Sequence, residues 1–251
     1  MRTVVFLGPT LPFHRAVSVL GSTEVDWRPP ACRGDIYKAV QDGAQAIALI
    51  DGYFGILPAV SHKEILWGIS RGVRVLGAAS MGALRAVELR DFGMAGVGWV
   101  YRNFLTGRLH RDDEVAVEHG PATVLFAPTS LPLVNIRCTV ARAVRNKDVS
   151  ADFGQLIIQA ASELYFGARN WQTIIQAALG PRRLSNEEHA AFEAIKSAYI
   201  DRKSLDAILA LKKVGDPIWR QTRNPQFNFE DTVHFSQFRR RIDNPFTTNL
   251  A

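Results

Sequence analysis

The 251-residue chain has two cysteines, Cys32 and Cys138. That is too few for a disulfide framework, so small disulfide-stapled folds are excluded and a reducing, cytoplasmic setting is expected. No apolar run approaches the roughly 20 residues that a membrane span needs. The opening MRTVVFLGP reads as a strand and turn, too short in its apolar part for a signal peptide. Neither G-x-G-x-x-G nor a Walker-type loop occurs, so the usual phosphate cradles are missing and no cofactor is expected. There is no aromatic-and-basic nucleic-acid pattern, internal repeat or low-complexity linker. The net charge of +6 comes mostly from scattered arginines, with one cluster at Arg239-Arg240-Arg241. The planar arginine fork suits carboxylates and phosphates, and an acidic protein partner fits that balance at least as well as nucleic acid.

Hydrophobic residues make up 47% of the chain, ample for a core. Their pattern in the first ninety residues or so alternates strand with helix. Strands are expected at Arg2–Leu7, Glu24–Trp27, Ala46–Ile50 and Val73–Leu76, with helices near 13–20 and 35–41 between them. A capping box, Ser61 with Glu64, and a staple, Val60 with Ile65, open a third helix. After a glycine-rich connection at 93–98 the chain turns helical, near 99–106, 151–164, 169–179, 186–199 and 203–213. This predicts an α/β fold, a small Rossmann-like parallel sheet with a helical C-terminal half. The expected divisions are an α/β core over 1–148, a helical region over 149–215, and an irregular basic tail over 216–251 lying on the core or a partner.

The centre of the pattern is Gly72–Leu89, GVRVLGAASMGALRAVEL. A short apolar strand runs into small residues and then a strong helix former, with Ser80 at the corner. Ala78 and Gly82, two before and two after, would let the backbone turn as in a nucleophile elbow. The Met81 amide would then face an oxyanion formed at Ser80. The alternative is that Ser80 only N-caps the helix. Asp51 and the Gly8 loop also end strands, and in an open α/β sheet such positions meet in one crevice. That convergence favours a functional Ser80.

Candidates around it follow from residue type. His62 and Lys63 put positive charge in the first turn of a helix, where the dipole opposes it, so an anion such as Asp51 or a substrate would account for them. The run His110–His119, HRDDEVAVEH, reads as a helix start with Asp112 as cap, or as a source of a general base, His119, with an acid such as Asp113 or Glu114. A metal set from His110, Asp113, Glu114, Glu118 and His119 matches no familiar spacing. Asn135 and Arg137 lie inside an apolar helical pattern and need polar partners.

Several of these stretches taken together, Asp51-Gly-Tyr-Phe, His62-Lys-Glu-Ile-Leu, the Ser80 block, Asp112-Asp-Glu-Val-Ala and Leu133-Val-Asn-Ile-Arg, resemble the TfuA-like family, in order, from Val4 to Arg137. The resemblance implies a partner of YcaO enzymes in making peptide backbone thioamides. It implies further that sulfide is supplied by hydrolysing the C-terminal thiocarboxylate of a small ThiS-like sulfur carrier. On that reading Ser80 is the nucleophile, His119 the base with Lys63 as alternative, and Asp51 a further catalytic candidate. The amides of Gly8 and Met81 would meet the oxyanion and Gly82 would line the crevice for an extended glycine tail, while Arg85, Arg137, Asp113 and Glu114 would contact the substrate. Two other classes remain open: a non-catalytic adaptor that docks peptide or carrier onto YcaO, and a persulfide carrier using Cys32.

Overall fold

A computed structural model describes residues 2–21, 25–55, 57–221 and 226–244. Five strands form one parallel sheet: β1 (Thr3–Phe6), β2 (Val25–Arg28), β3 (Ala46–Leu49), β4 (Arg74–Ala78) and β5 (Ala95–Val97), in the order β2-β1-β3-β4-β5. The register sets Thr3 beside Ala46, Ala46 beside Arg74, and Gly77 beside Gly96. Successive strand residues point to opposite faces, and both faces are covered, so the inner strands are apolar apart from Thr3 and Arg74 at their starts. Val4, Phe6, Ile47, Leu49 and Val75 pack under helices α2 (Asp35–Gln41), α3 (His62–Ser70) and α4 (Met81–Glu88). Val5, Ala46, Ala48, Ile50 and Leu76 face α1 (Phe13–Leu20) and, from far along the chain, α10 (Arg202–Gly215).

The strand that sequence reading misses is β5, which lies inside the glycine-rich 93–98 connection. Gly96 has no side chain because the Tyr101 ring occupies its place, a Cβ there falling 2.1 Å from the ring. A strand whose central residue is a glycine carries no hydrophobic alternation to read. The beginning of the second expected strand, Glu24, lies outside the described residues.

Beyond β5, α5 (Gly98–Leu105) packs on α4. The helices α6 (Leu133–Arg145), α7 (Ala151–Glu163), α8 (Trp171–Leu179) and α9 (Asn186–Ser197) enclose a second core around Ile136, Ile157, Ile174 and Ile195. Helix α10 then returns to the sheet. Its apolar stripe, Ala207, Ala210, Leu211 and Val214, is wholly buried and stands at the helical spacing. Asp206 on the same side accepts a hydrogen bond from the Val100 amide at 2.7 Å and fixes the start of α5.

The segment from 216 onward was expected to be irregular. It contains α11 (Pro217–Gln221) and α12 (Val233–Asp243), while 222–225 and 245–251 lie outside the described residues. Phe235 is buried against Tyr37 and Trp67, and Asp243 accepts from the Tyr37 hydroxyl at 3.0 Å. The aromatic spacing is helical, and a neighbouring surface gives it something to bury.

Candidate active site

Strand order β2-β1-β3 reverses direction of winding between β1 and β3, so the crevice opens at the carboxyl ends of those two strands. Asp51, just beyond β3, fills it. Its side chain accepts from the Gly8 amide at 2.9 Å, the Thr10 amide at 3.1 Å and the Thr10 hydroxyl at 2.5 Å. A carboxylate buried to 1% exposure is tolerable with so many donors. Asp51 therefore pins the β1 loop to the end of β3. The same bond removes the Gly8 amide from service as an oxyanion donor.

Ser80 stands where the strand–turn–helix pattern placed it, between β4 and α4. The turn is tighter than an ordinary cap: the Ser80 amide donates to the Ala78 carbonyl at 2.6 Å, around Ala79 at φ 63°. A left-handed non-glycine residue of this kind costs on the order of 1–3 kcal/mol. Of the small residues around it, Gly77 and Gly82 have no room for a side chain. A Cβ on Gly77 would fall 1.9 Å from the Gly82 carbonyl oxygen, and one on Gly82 1.7 Å from that of Leu49. The first turn of α4 thus lies directly on β3 and β4. The Ser80 side chain makes no cap hydrogen bond, so the capping alternative is not realised. Among the described residues, the Met81 amide has no acceptor either, while the Gly82 and Ala83 amides go to Ile50 and Ser80 carbonyls.

His119 joins Ser80 and Asp51 around one narrow cavity of about 40 Å³, also walled by Pro9, Tyr53, Val117 and Phe166. Its ring lies between Tyr53 and Phe126, at 5.6 and 5.7 Å. Its Nδ1 is 2.8 Å from the Gly120 carbonyl oxygen. Only an Nδ1–H can make that bond, which leaves Nε2 as the proton acceptor in the neutral ring. The group that orients the histidine is a carbonyl, where an acid of the 112–118 run was expected.

Glu118 lines the same cavity and accepts from the Tyr165 hydroxyl at 3.0 Å, whereas Asp113 and Glu114 are engaged elsewhere. Glu114, 1% exposed, takes a bidentate pair from Arg137 at 2.9 Å, so each neutralises the other and Arg137 offers no free charge to a substrate. Asp113 accepts from Arg111 at 2.7 Å and from the fully buried Arg169 at 2.5 Å. Burial alone would raise the Asp113 carboxyl, but Arg169 and Arg111 outweigh it and hold it below the ordinary range. Among the described residues no three potential ligands gather as a metal site.

The basic candidates from the 62–85 region also lie apart from Ser80. Lys63 sits over the Phe229 ring at 4.6 Å. Arg85 donates to the Val60 carbonyl at 2.8 Å and to Glu88 at 2.7 Å, and Glu88 also holds His62 at 2.8 Å. The charge in the first turn of α3 is thus answered by Glu88 and Phe229 rather than by Asp51. The Cys32 thiol donates to Asp35 at 3.2 Å. Burial first, and then that carboxylate, push it up to about 11.

A wider cavity of about 240 Å³ adjoins, sharing Pro9 and Val117 with the narrow one and lined further by Thr10, Ser130, Asn135, Trp171, Tyr199 and Lys203. Lys203 and Tyr199 escaped sequence reading. A signal for the lysine was present, since 203, 207, 210 and 214 share the buried face of α10.

An open parallel sheet with a serine corner and a histidine at its switch point defines an α/β crevice protein. The family model described as TfuA-like protein matches residues 51–170, which takes in Asp51, Ser80, His119 and Arg169. Over those residues the chain is similar to the TfuA-like family, in agreement with the sequence blocks. No curated protein matches the chain.

Proposed function

We propose that this protein supplies sulfide for peptide thioamide formation by serine-dependent hydrolysis of a protein C-terminal thiocarboxylate. The donor is a ThiS-like carrier, and the work is done beside a YcaO enzyme. The observation that carries the reading is that Ser80, free of any cap bond, and His119, whose Nδ1 is taken up by the Gly120 carbonyl, line one cavity. The Ser80 Oγ adds to the thiocarboxylate carbon while His119 Nε2 takes its proton. The oxygen that becomes anionic is met by the Met81 amide at the positive end of α4. The C–S bond then breaks, sulfide leaves with the proton from His119, and an ester to Ser80 remains. Water, deprotonated by His119, cleaves the ester and returns a carrier carboxylate and Ser80. Arg85, Lys63 and Arg137 have no part in this scheme, because Glu88, Phe229 and Glu114 hold them.

The test is sulfide release from thiocarboxylated carrier by the isolated protein. Ser80→Ala is expected to lower it by several orders of magnitude, nucleophile and base acting as a unit. His119→Ala should cost roughly 10²–10⁴-fold. Near-normal release by a folded Ser80→Ala protein would rule out the covalent route. The narrowness of the Ser80 cavity favours a second reading, an adaptor that docks carrier or peptide onto YcaO, since about 40 Å³ holds only a few waters. No release by the wild-type protein with carrier still bound would select the adaptor.

A further inference from the structure

Lys203 is the most unusual charge in the molecule. Its side chain comes from the second residue of α10, is 2% exposed, and lines the wide cavity. Its Nζ donates to the Val115 carbonyl at 2.7 Å. Among the described residues it has no ion pair; burial pulls its ammonium below the usual lysine range, and Asp51 and Asp201 oppose this only through longer-range attraction. A buried ammonium with one carbonyl and no counter-ion is costly, and two of its three N–H groups remain to be used.

The neighbouring hydroxyls have the same bias. Tyr199 Oη accepts from the Asn135 amide at 2.8 Å, and Ser130 Oγ accepts from the Glu118 amide at 2.9 Å. Each hydroxyl keeps its own proton to give. Burial pushes the Tyr199 phenol up to about 12, so it stays a donor. The rest of the wall mixes Trp171, Leu131 and prolines with polar groups already in use: the Asp201 carboxylate accepts from Asn135 and the Ser204 amide, and Arg169 is paired with Asp113. A cavity with free donors and a lysine that has no direct ion pair suits an acceptor that is also an anion.

We infer that the wide cavity is a carboxylate-binding site, in which Lys203, assisted by Tyr199 and Ser130, holds the terminal carboxylate or thiocarboxylate of a short extended peptide chain. This deepens the proposed function, since a carrier tail ends in that group and the cavity shares Pro9 and Val117 with the Ser80 cavity. Lys203 then completes the charge balance of the crevice only when the tail is present. Asp51, already saturated by the β1 loop, does not serve it.

The probe is N-acetyl-Gly-Gly with a free carboxylate, compared with its C-terminal amide, titrated by NMR into the full-length Ser80→Ala protein. The acid is expected to bind at least tenfold tighter than the amide, and Lys203→Met should abolish that preference. Tyr199→Phe, which removes only a hydroxyl and keeps the Asn135 bonds to Asp201 and the Lys203 amide, should weaken the acid severalfold and the amide little. Equal binding of acid and amide, or a preference that survives in a folded Lys203→Met protein, overturns the inference. If Lys203→Met does not fold, the acid-to-amide ratio and its response to Tyr199→Phe decide it. Because these titrations involve no turnover, acid-selective binding without sulfide release sinks the hydrolase and spares the site. Sulfide release with an unchanged KM in Lys203→Met does the reverse.

Discussion

The outer surface of α3 and α4 and the floor of the crevice are both rich in charge, yet the two differ in what answers it. Outside, Glu88, a carboxylate whose side chain is 42% exposed, is met by Arg85 three residues away and by His62 26 residues away. Inside, Asp51, Arg169 and Lys203 are 0–2% exposed and find their partners 88 residues away for Lys203 and 56 for Arg169. Exposed pairs are screened and worth little. Buried ones must be matched nearly atom for atom, or they cost more than they return. The comparison teaches that Arg85 and His62, though near Ser80 in the motif blocks, are spent on a surface carboxylate, whereas the charge that can act in the crevice arrives from elsewhere.

The largest effect on folding that follows is at Asp51. Asp51→Ala leaves the Gly8 and Thr10 amides and the Thr10 hydroxyl without their acceptor, at a cost of about 3 kcal/mol or more by urea denaturation. A loss under about 1 kcal/mol would show that the β1 loop is held by something else and would dissolve the distinction between inside and outside.

Asp113 comes next. Its carboxyl is held below the ordinary range by Arg169 and Arg111 against the pull of burial, so its contribution is full above the unfolded carboxylate value. It fades as the pH falls through the lower folded value. Asp113→Asn should cost about 2 kcal/mol at neutral pH and flatten the acid limb of stability against pH. An acid limb of unchanged slope would count against the pair.

On the outer side the expected changes are small. Arg85→Ala should cost about 1 kcal/mol or less and leave sulfide release as it was. A large fall in release would return Arg85 to the site. Smallest of all, Cys32→Ser should not alter release, and the Cys32 thiol, pushed up to about 11, should react slowly with iodoacetamide at pH 8 because little thiolate is present. Rapid alkylation would reopen the persulfide route.

What the sequence determined by itself is what repeats or terminates locally. Hydrophobic runs gave four of the five strands, Ser61 with Glu64 set the start of α3, as the capping box confirms, and small residues around Ser80 marked the corner between β4 and α4. The helices from α7 to α10 were legible for the same reason, since 3.6-residue spacing and caps are properties of neighbours in the chain. Tertiary structure alone decided the rest: that β5 forms on a glycine beneath Tyr101, that Asp51 serves the β1 loop, that Glu114 claims Arg137, and that α10 returns to bring Lys203 to the crevice. These are pairings across the chain, often over tens of residues. A side chain's partner is fixed by how sheet and helices pack, and periodicity along one segment carries no record of what the opposite surface presents.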